Sequence, residues 1–509
     1  MSMPRHDVDP AFSDLPLDAA ADAALTRAAQ LGASHAEVRV ERILSQDVTV
    51  RDRALSGLHV GEDLGVSVRV VHDDTWGFAA GPDPTPTSAR ALAERAVAVA
   101  RASRALRGSP VQRTDEPVHV GTWVSDYLVD PFDVDVAEVV GLLLDRTGRL
   151  LDDPRVDHAT AMLQQVREST FYTDTAGTRT VQQRVRVHPE VEALAIDADA
   201  RQVETLRSLA APAGRGYEYV TGADGVHDWD AELAALPELL AERLRAPSLP
   251  AGRYDLVIEP TNLWLTIHES IGHATELDRA LGFEADYAGT SFATPDGLGS
   301  LRYGSPTMQV TADRTEPFGL ASVGWDHEGV AAQRWDLVRD GLLVGYQLDR
   351  SSAMLLAQAA GNRSNGCAYA QSSQYVPIQR MANVSLQPAA GGPDAADLVA
   401  DVEDGLYVVG DKSWSIDMQR YNFQFTAQRF HRIRNGRLVG QVKDVAYQGR
   451  TPDFWGSLAA VGGPQTWWLG GTFVCGKAQP GQGAPVSHGA PTALFRGVSV
   501  LDTRQEGRG

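Results

Sequence analysis

The stretch TIHESIGHATEL spans residues 266–277 and sets His268, Glu269 and His273 in the pattern H-E-x-x-x-H. Neutral imidazoles are good zinc ligands, and a carboxylate beside a bound water can accept its proton. In the familiar peptidase pattern the histidines stand four residues apart, on one face of an α-helix. Here they stand five apart. At about 100° per residue, an ideal helix would place the two rings roughly 140° apart. One metal could not reach both without a local change. A π-bulge supplies it, because i→i+5 pairing brings the two positions into line. Gly272, just before His273, is a place where a helix can loosen or end. The spacing predicts a bulge or a break between Ser270 and His273. With 13 histidines in the chain, the pattern needs support from elsewhere.

A catalytic zinc usually takes three protein ligands and a water. Cys475 is the best third ligand. It lies in the glycine-lined segment GGTFVCGK (470–477), where backbone can approach a metal closely. A thiolate there would be stabilised by the cation. It would also lower the effective charge of the metal, leaving more of the activation of water to Glu269. Other candidates read more plainly. Cys367 has no ligand-type neighbours and reads as a small buried hydrophobe. His327-Glu328, in GWDHEGV (324–330), lacks a following histidine and reads as a charged turn between glycines. His488, in APVSHGAP, reads as a strand or surface histidine, with a hydrogen bond to substrate as the alternative. Arg380 reads equally as a structural salt bridge or a clamp for a peptide carboxylate. Trp467-Trp468 reads as packing.

N-terminal to the motif the pattern is α+β. Residues 17–31 are Ala/Leu-rich at helical spacing and stop at Gly32. AEVRVERI (36–43), QDVTVRD (46–52) and GVSVRVV (65–71) alternate with the strand period. WGFAAG (76–81) follows an Asp-Asp turn and should form a hairpin with the strand before it. Helices are expected near 88–106, with Ser88 as cap, near 135–151, where Asp135 and Glu138 resemble a capping box, and near 230–245. Residues 159–197 alternate around a turn at TDTAG (173–177), and SLPAGRYD (248–255) reads as the crossing between domains. Beyond it comes the buried-looking strand YDLVIEP, one helix, and then mostly strands. Asn435-Gly436 is a strong hairpin signal. The fold class is α+β. A tail at 1–16 precedes an N-terminal domain with mixed sheet and helices over 17–247. A strand-rich metallopeptidase domain carrying the H-E-x-x-x-H helix covers 248–509.

Bulk composition narrows the function. With 509 residues, two domains are the default. A net charge of −20 repels phosphate backbones, so no nucleic-acid partner is expected. Two cysteines make no disulfide framework, which points to a reducing compartment. The first residues lack an apolar stretch and no run is long enough to span a bilayer. The expected location is therefore the cytoplasm, with no membrane partner.

The chain resembles the TldD/PmbA family of modulators of DNA gyrase, on its TldD side. HESIGH, PIQRMAN (377–383) and the Cys475-Gly476 pair of a terminal strand carry the likeness. GASHAEVRVER, RDRALSG, GVSVRVV and WGFAAG follow in the expected order, and the resemblance runs over about residues 15–500. It implies a zinc metallopeptidase acting on small or unfolded polypeptides, with Zn2+ as cofactor. His268, His273 and Cys475 match the metal ligands of the family, and Glu269 matches its catalytic glutamate. It also implies a dimer, with a TldE/PmbA-like subunit that lacks the metal motif or with a second copy, this chain being the active partner. Two stretches depart from the family pattern. Residues 381–384 read Met-Ala-Asn-Val instead of Met-Thr-Asn-Thr, and ATELDRALGFEADYAGTSF (274–292) is longer than the compact family form. Both are expected beside the substrate. Two rival functions stand beside this one. One is a non-enzymatic, metal-stabilised protein that binds peptides or builds an assembly. The other is a serine hydrolase, for which no G-x-S-x-G elbow is present.

Overall fold

The computed structural model describes residues 6–106, 108–356 and 363–506. The first unit is built on a seven-stranded sheet. Across it the strands run Thr75–Gly81, Ala54–His72, His35–Arg51, His158–Asp174, Arg179–Asp197 and Val120–Val124, and Gln202–Arg207 pairs beside Arg179–Asp197. All neighbours are antiparallel except Val120–Val124, which runs parallel to its partner. The two strands expected at 36–43 and 46–52 are one strand, because nothing in Leu44–Ser45 breaks the extended backbone. The hairpins at Asp73-Asp74 and at 173–177 form as expected.

The alternation in these strands sorts two buried faces. Ala36, Val38, Val40, Val66, Val68 and Val70 pack under the helices Leu17–Gln30 and Pro86–Ser103. Further along the same face, Val48, Val50, Ala161 and Leu163 pack with residues of the helices Val136–Leu151 and Trp229–Arg245. Burying one valine contributes on the order of 2 kcal/mol, so a one-residue slip that swapped the faces would be heavily penalised. The helix Pro86–Ser103 is capped by Thr85, whose hydroxyl accepts from the Ser88 amide. The expected cap Ser88 is one turn too late. Asp135 caps its helix through the Ala137 amide alone, without a reciprocal bond from Glu138.

The other face carries Glu37, Arg39, Glu41, Arg69, Glu168, Tyr172, Arg184 and Arg186, all buried. Strands with one polar face usually turn it to water. Here it is covered by the second unit. Arg69 bridges Glu37 at 2.6 Å and Glu328 at 2.7 Å. Arg39 donates to the carbonyls of Ser372 and Tyr375 at 2.9 Å, and Gln182 donates to the Trp325 carbonyl at 2.9 Å. His327 and Glu328 form the expected charged turn, and that turn is buried in this interface. Within the expected tail, Phe12 of the short helix Pro10–Ser13 is fully buried, and Asp9 bonds Arg42 and Arg167. The first five residues of that tail lie outside the described residues.

The second unit holds a sheet whose strands close on themselves. Asp404–Ile416, Gly252–Ile258, Ala493–Asp502, Val445–Arg450 and Asn422–Arg434 follow in order, and Asn422–Arg434 pairs back with Asp404–Ile416. Gly252–Ile258 is central, with Leu256, Val257 and Ile258 fully buried. The Asn435-Gly436 turn joins Asn422–Arg434 to Arg437–Val442, both turn residues taking positive φ. The chain leaves Gly252–Ile258 directly into the helix Pro260–Ile267, which carries the motif inward.

Candidate metal centre

The helix Pro260–Ile267 continues as a π-helix over His268–Gly272 and a tight turn over His273–Thr275. The His273 amide donates to the His268 carbonyl, five residues back. This is the local change that the spacing requires, beginning slightly earlier than predicted. Its backbone is supported from outside. Trp455 donates to Ser270 Oγ at 2.9 Å, the Tyr303 hydroxyl donates to the Ser270 carbonyl, and Gln347 donates to the Gly272 carbonyl at 2.7 Å. Gly272 is needed for room: a Cβ there would stand 2.5 Å from Met381 Sδ.

The bulge brings the two rings together, with centroids 4.7 Å apart. Cys475 arrives from a two-stranded ribbon of Trp468–Lys477 and Gln482–Ala490, whose register shifts between Thr472 and Cys475. Ligand atoms of His268, His273 and Cys475 all lie within 4.8 Å of one another, and all three residues are buried. Cys475 Sγ is 3.5 Å from His273 Nε2. Nitrogen and sulfur ligands on one tetrahedral zinc would stand about 3.6 Å apart, so the residues present fit such an ion.

Hydrogen bonding selects the tautomers. His488 Nδ1 lies 2.9 Å from the Val384 carbonyl, which can only accept, so that nitrogen carries the proton. His488 Nε2 is then the acceptor for His268 Nδ1–H at 2.8 Å. His273 Nδ1–H donates to Glu276 at 2.9 Å. Both candidate ligands thus keep Nε2 lone pairs free for a metal. Burial pushes the imidazoles of His268 and His273 below their ordinary range, more than Glu269 beside the one and Cys475 and Glu276 beside the other restore. They stay neutral, as metal ligation requires. Burial pushes the Cys475 thiol up, but its contact with His273 and the charge of Arg380 outweigh it and the net shift is downward.

Glu269 accepts from Arg420 Nη1 at 2.7 Å. Arg420 sits at φ 60° in a turn organised by Asp417, which accepts from the amides of Gln419, Tyr421 and Asn422. Glu276 also receives Arg279 and Lys477, each at 3.2 Å. Burial pushes the Glu276 carboxyl up, yet Lys477 and His273 hold it well below the usual range. Arg380 forms no ion pair among the described residues. It is buried and donates to the carbonyls of Cys475 and Gln482, holding the ribbon in place. His488 is a strand histidine, as one of its readings has it, in Gln482–Ala490; it is fully buried behind His268, so the surface alternative does not hold.

The two departures part ways. Ala382 and Val384 are fully buried in the core, so they do not line the substrate. The longer stretch supplies Glu276, and it leaves Phe283 and Tyr287 exposed at 67% and 54%. Its Ala288 carbonyl accepts from Arg420 at 3.3 Å, which places it beside Glu269. Sequence reasoning missed Glu276, Arg420 and Lys477. Only Glu276 left a signal, three residues past His273 on the same turn.

The model described as the PmbA/TldA metallopeptidase C-terminal domain matches residues 251–502, and the one for domain 1 of the same family matches residues 36–100. The chain belongs to the PmbA/TldA metallopeptidase family. A metalloprotease of Methanothermobacter thermautotrophicus is 26% identical over 474 residues, covering 92% of this chain and 96% of its own. A protein of Saccharolobus solfataricus named zinc metalloprotease TldD homolog is 22% identical over 434 residues, covering 84% and 88%. Among solved structures, TldE of Thermococcus kodakarensis superposes with a TM-score of 0.70 at 14% identity, over 94% of this chain and 98% of that one. As a PmbA/TldA protein the chain is a metallopeptidase. No helix among the described residues is long and apolar enough to cross a membrane.

Proposed function

We propose that the protein is a zinc-dependent peptidase of small or unfolded polypeptides. His268, His273 and Cys475 would hold the metal, and Glu269 is the general base. The observation that carries this reading is the convergence of the three ligand atoms within 4.8 Å, with both imidazole Nδ1 atoms already engaged. Zinc supplies a Lewis acid that polarises a carbonyl and acidifies a water. Glu269 takes a proton from the attacking water and delivers it to the leaving amine nitrogen as the C–N bond breaks. Arg420 aims the carboxylate. Exposed Phe283 and Tyr287 offer apolar contacts to substrate side chains. The Cys475-bearing strand has Gln482–Ala490 as its one strand partner among the described residues, so an extended peptide can pair along its other edge.

The fold shared with TldE supports pairing with a TldE-like subunit, with a second copy as the alternative. Light scattering of the protein alone and after co-expression with a TldE-like chain separates the two. The unpaired buried cysteines, Cys367 and Cys475, agree with a cytoplasmic setting. The deciding experiment compares Glu269→Gln and Cys475→Ala on an unstructured peptide pool. Glu269→Gln should keep zinc and lose cleavage, and Cys475→Ala should lose both. Undiminished cleavage by Glu269→Gln would remove the general base from the proposal and favour a peptide-binding role.

A further inference from the structure

A cavity of about 170 Å3 lies between the two units, away from the metal ligands. It is lined by Arg184, Arg186 and Arg314 and by the loop Thr315–Leu320. Arg184 forks onto Glu168 at 2.9 Å and donates to the Leu320 carbonyl at 3.1 Å. Arg186 uses Nη2 alone, on the same Glu168, and its Nε and Nη1 are buried without a partner. Arg314 is 2% exposed, has a buried, unpartnered Nε, and forms no ion pair or side-chain hydrogen bond among the described residues. Arg184 and Arg186 thus share one carboxylate, while Arg314 has the charge of buried Asp326 in its surroundings and touches no carboxylate among the described residues. Asp126 and Glu316 also line the cavity, and neither forms an ion pair among the described residues.

The adjoining Glu41, Glu168 and His327 have the residue types of a second metal site. Their surroundings argue against a cation. The Ala370 amide donates to His327 Nδ1 at 3.2 Å, and Arg39, Arg184 and Arg186 flank the carboxylates. The cavity loop is pinned by the first unit. The Gly214 amide donates to the Phe318 carbonyl at 2.8 Å, and the Arg215 guanidinium lies 3.6 Å over the Phe318 ring.

A buried, unpaired guanidinium is costly, and its planar fork matches carboxylate and phosphate. We propose that this cavity binds a small oxyanion, phosphate or carboxylate, between Arg186 and Arg314. The site bears on the metal centre through its loop. The Leu320 amide donates to Ser487 Oγ at 3.0 Å, and Ser487 precedes His488, which holds His268.

The test uses the full-length, zinc-loaded protein. Inorganic phosphate is titrated against the thermal unfolding midpoint, with sodium chloride matched for ionic strength. A saturable rise with phosphate and none with chloride is expected. Arg314→Met removes a buried charge that forms no ion pair among the described residues, so without ligand it should melt at or above the wild-type temperature, and it should show no response to phosphate. An N-acetylated peptide with a free C-terminal carboxylate, and the same peptide amidated, separate the sources. A response to the free acid alone, lost in Arg314→Met, assigns the site to a polypeptide terminus. A response to phosphate alone assigns it to free phosphate. Absence of a saturable response to every probe overturns the proposal, as does a response that Arg314→Met retains. Should Arg314→Met not fold, Arg186→Gln takes its place in the same titration under the same criteria.

Discussion

His488→Ala should weaken zinc binding about 10- to 100-fold without altering a ligand, the scale for losing a residue that orients a metal histidine. The figure can be worked from the structure. His268 Nδ1–H has the His488 ring as acceptor at 2.8 Å, in a fully buried setting. Without that ring the donor is stranded, at about 1–3 kcal/mol. His268 can escape by moving its proton to Nε2, but this blocks the lone pair that a metal needs, so the cost still falls on the loaded state. At about 1.4 kcal/mol per decade, the loss is roughly 5- to 150-fold in dissociation constant.

His488→Gln supplies the control. Both variants lose the ring that stacks on Trp264 at 6.3 Å, and only glutamine can restore an acceptor to His268. Zinc affinity is measured by competition with a chromophoric chelator, alongside urea unfolding of the metal-free proteins. The expected order is wild type, then His488→Gln, then His488→Ala. A folded His488→Ala protein that binds zinc within twofold of wild type would refute the reasoning, because His268 would then not depend on its tautomeric partner.

Three further outcomes are expected. Gly272→Ala sets a methyl 2.5 Å from Met381 Sδ and should cost about 1–3 kcal/mol in urea unfolding, with Met381→Ala in the same chain recovering part of it. Arg420→Gln should keep full zinc content and lower kcat/KM on an unstructured peptide, since Glu269 loses its 2.7 Å partner; an unchanged rate would remove Arg420 from the site. Burial pushes the Glu41 carboxyl up to about 7, with charge at Glu168 adding and Arg39 opposing. A raised folded value means that the folded state binds the extra proton, so stability should fall as pH rises from about 4.5 through 7 and level off above. Glu41→Gln should flatten that slope and exceed wild type at pH 8, by on the order of 3 kcal/mol at most. A wild-type stability that climbs across this range would show the sign to be wrong.

Much of the fold was legible because its signals are local. The helix at 17–31 ends at Gly32, the Asp73-Asp74 and Asn435-Gly436 turns make their hairpins, and the five-residue histidine spacing demanded the bulge. The cap at Thr85 was masked by the Pro-rich loop, where several residues could open the helix. The fate of the polar strand face was not legible. Alternation says that Glu37, Arg39 and Glu41 share a side, but it carries no word on whether water or another unit covers it. Arg69 finds its partner in Glu328, 259 residues away, and no period in the sequence connects them. For the same reason the turn at His327-Glu328 was legible and its burial was not.

The candidate site divides along the same line. Its ligands belong to a short motif and a cysteine in unusual company, both visible as text. The residues that make the ligands usable are distant or featureless. His488 reaches His268 across 220 positions, and Arg420 reaches Glu269 across 151. Yet these determine what the ligands can do. Imidazoles with unassigned tautomers would each spend part of their time presenting N–H where a metal needs a lone pair. Here a carbonyl behind His488 and a carboxylate behind His273 remove that freedom before any metal arrives. The bulge, the paired tautomers and the Arg380-held ribbon come from separate elements and converge on one point. A site assembled this way loses little order on binding, so its affinity should depend on the residues behind the ligands nearly as much as on the ligands themselves.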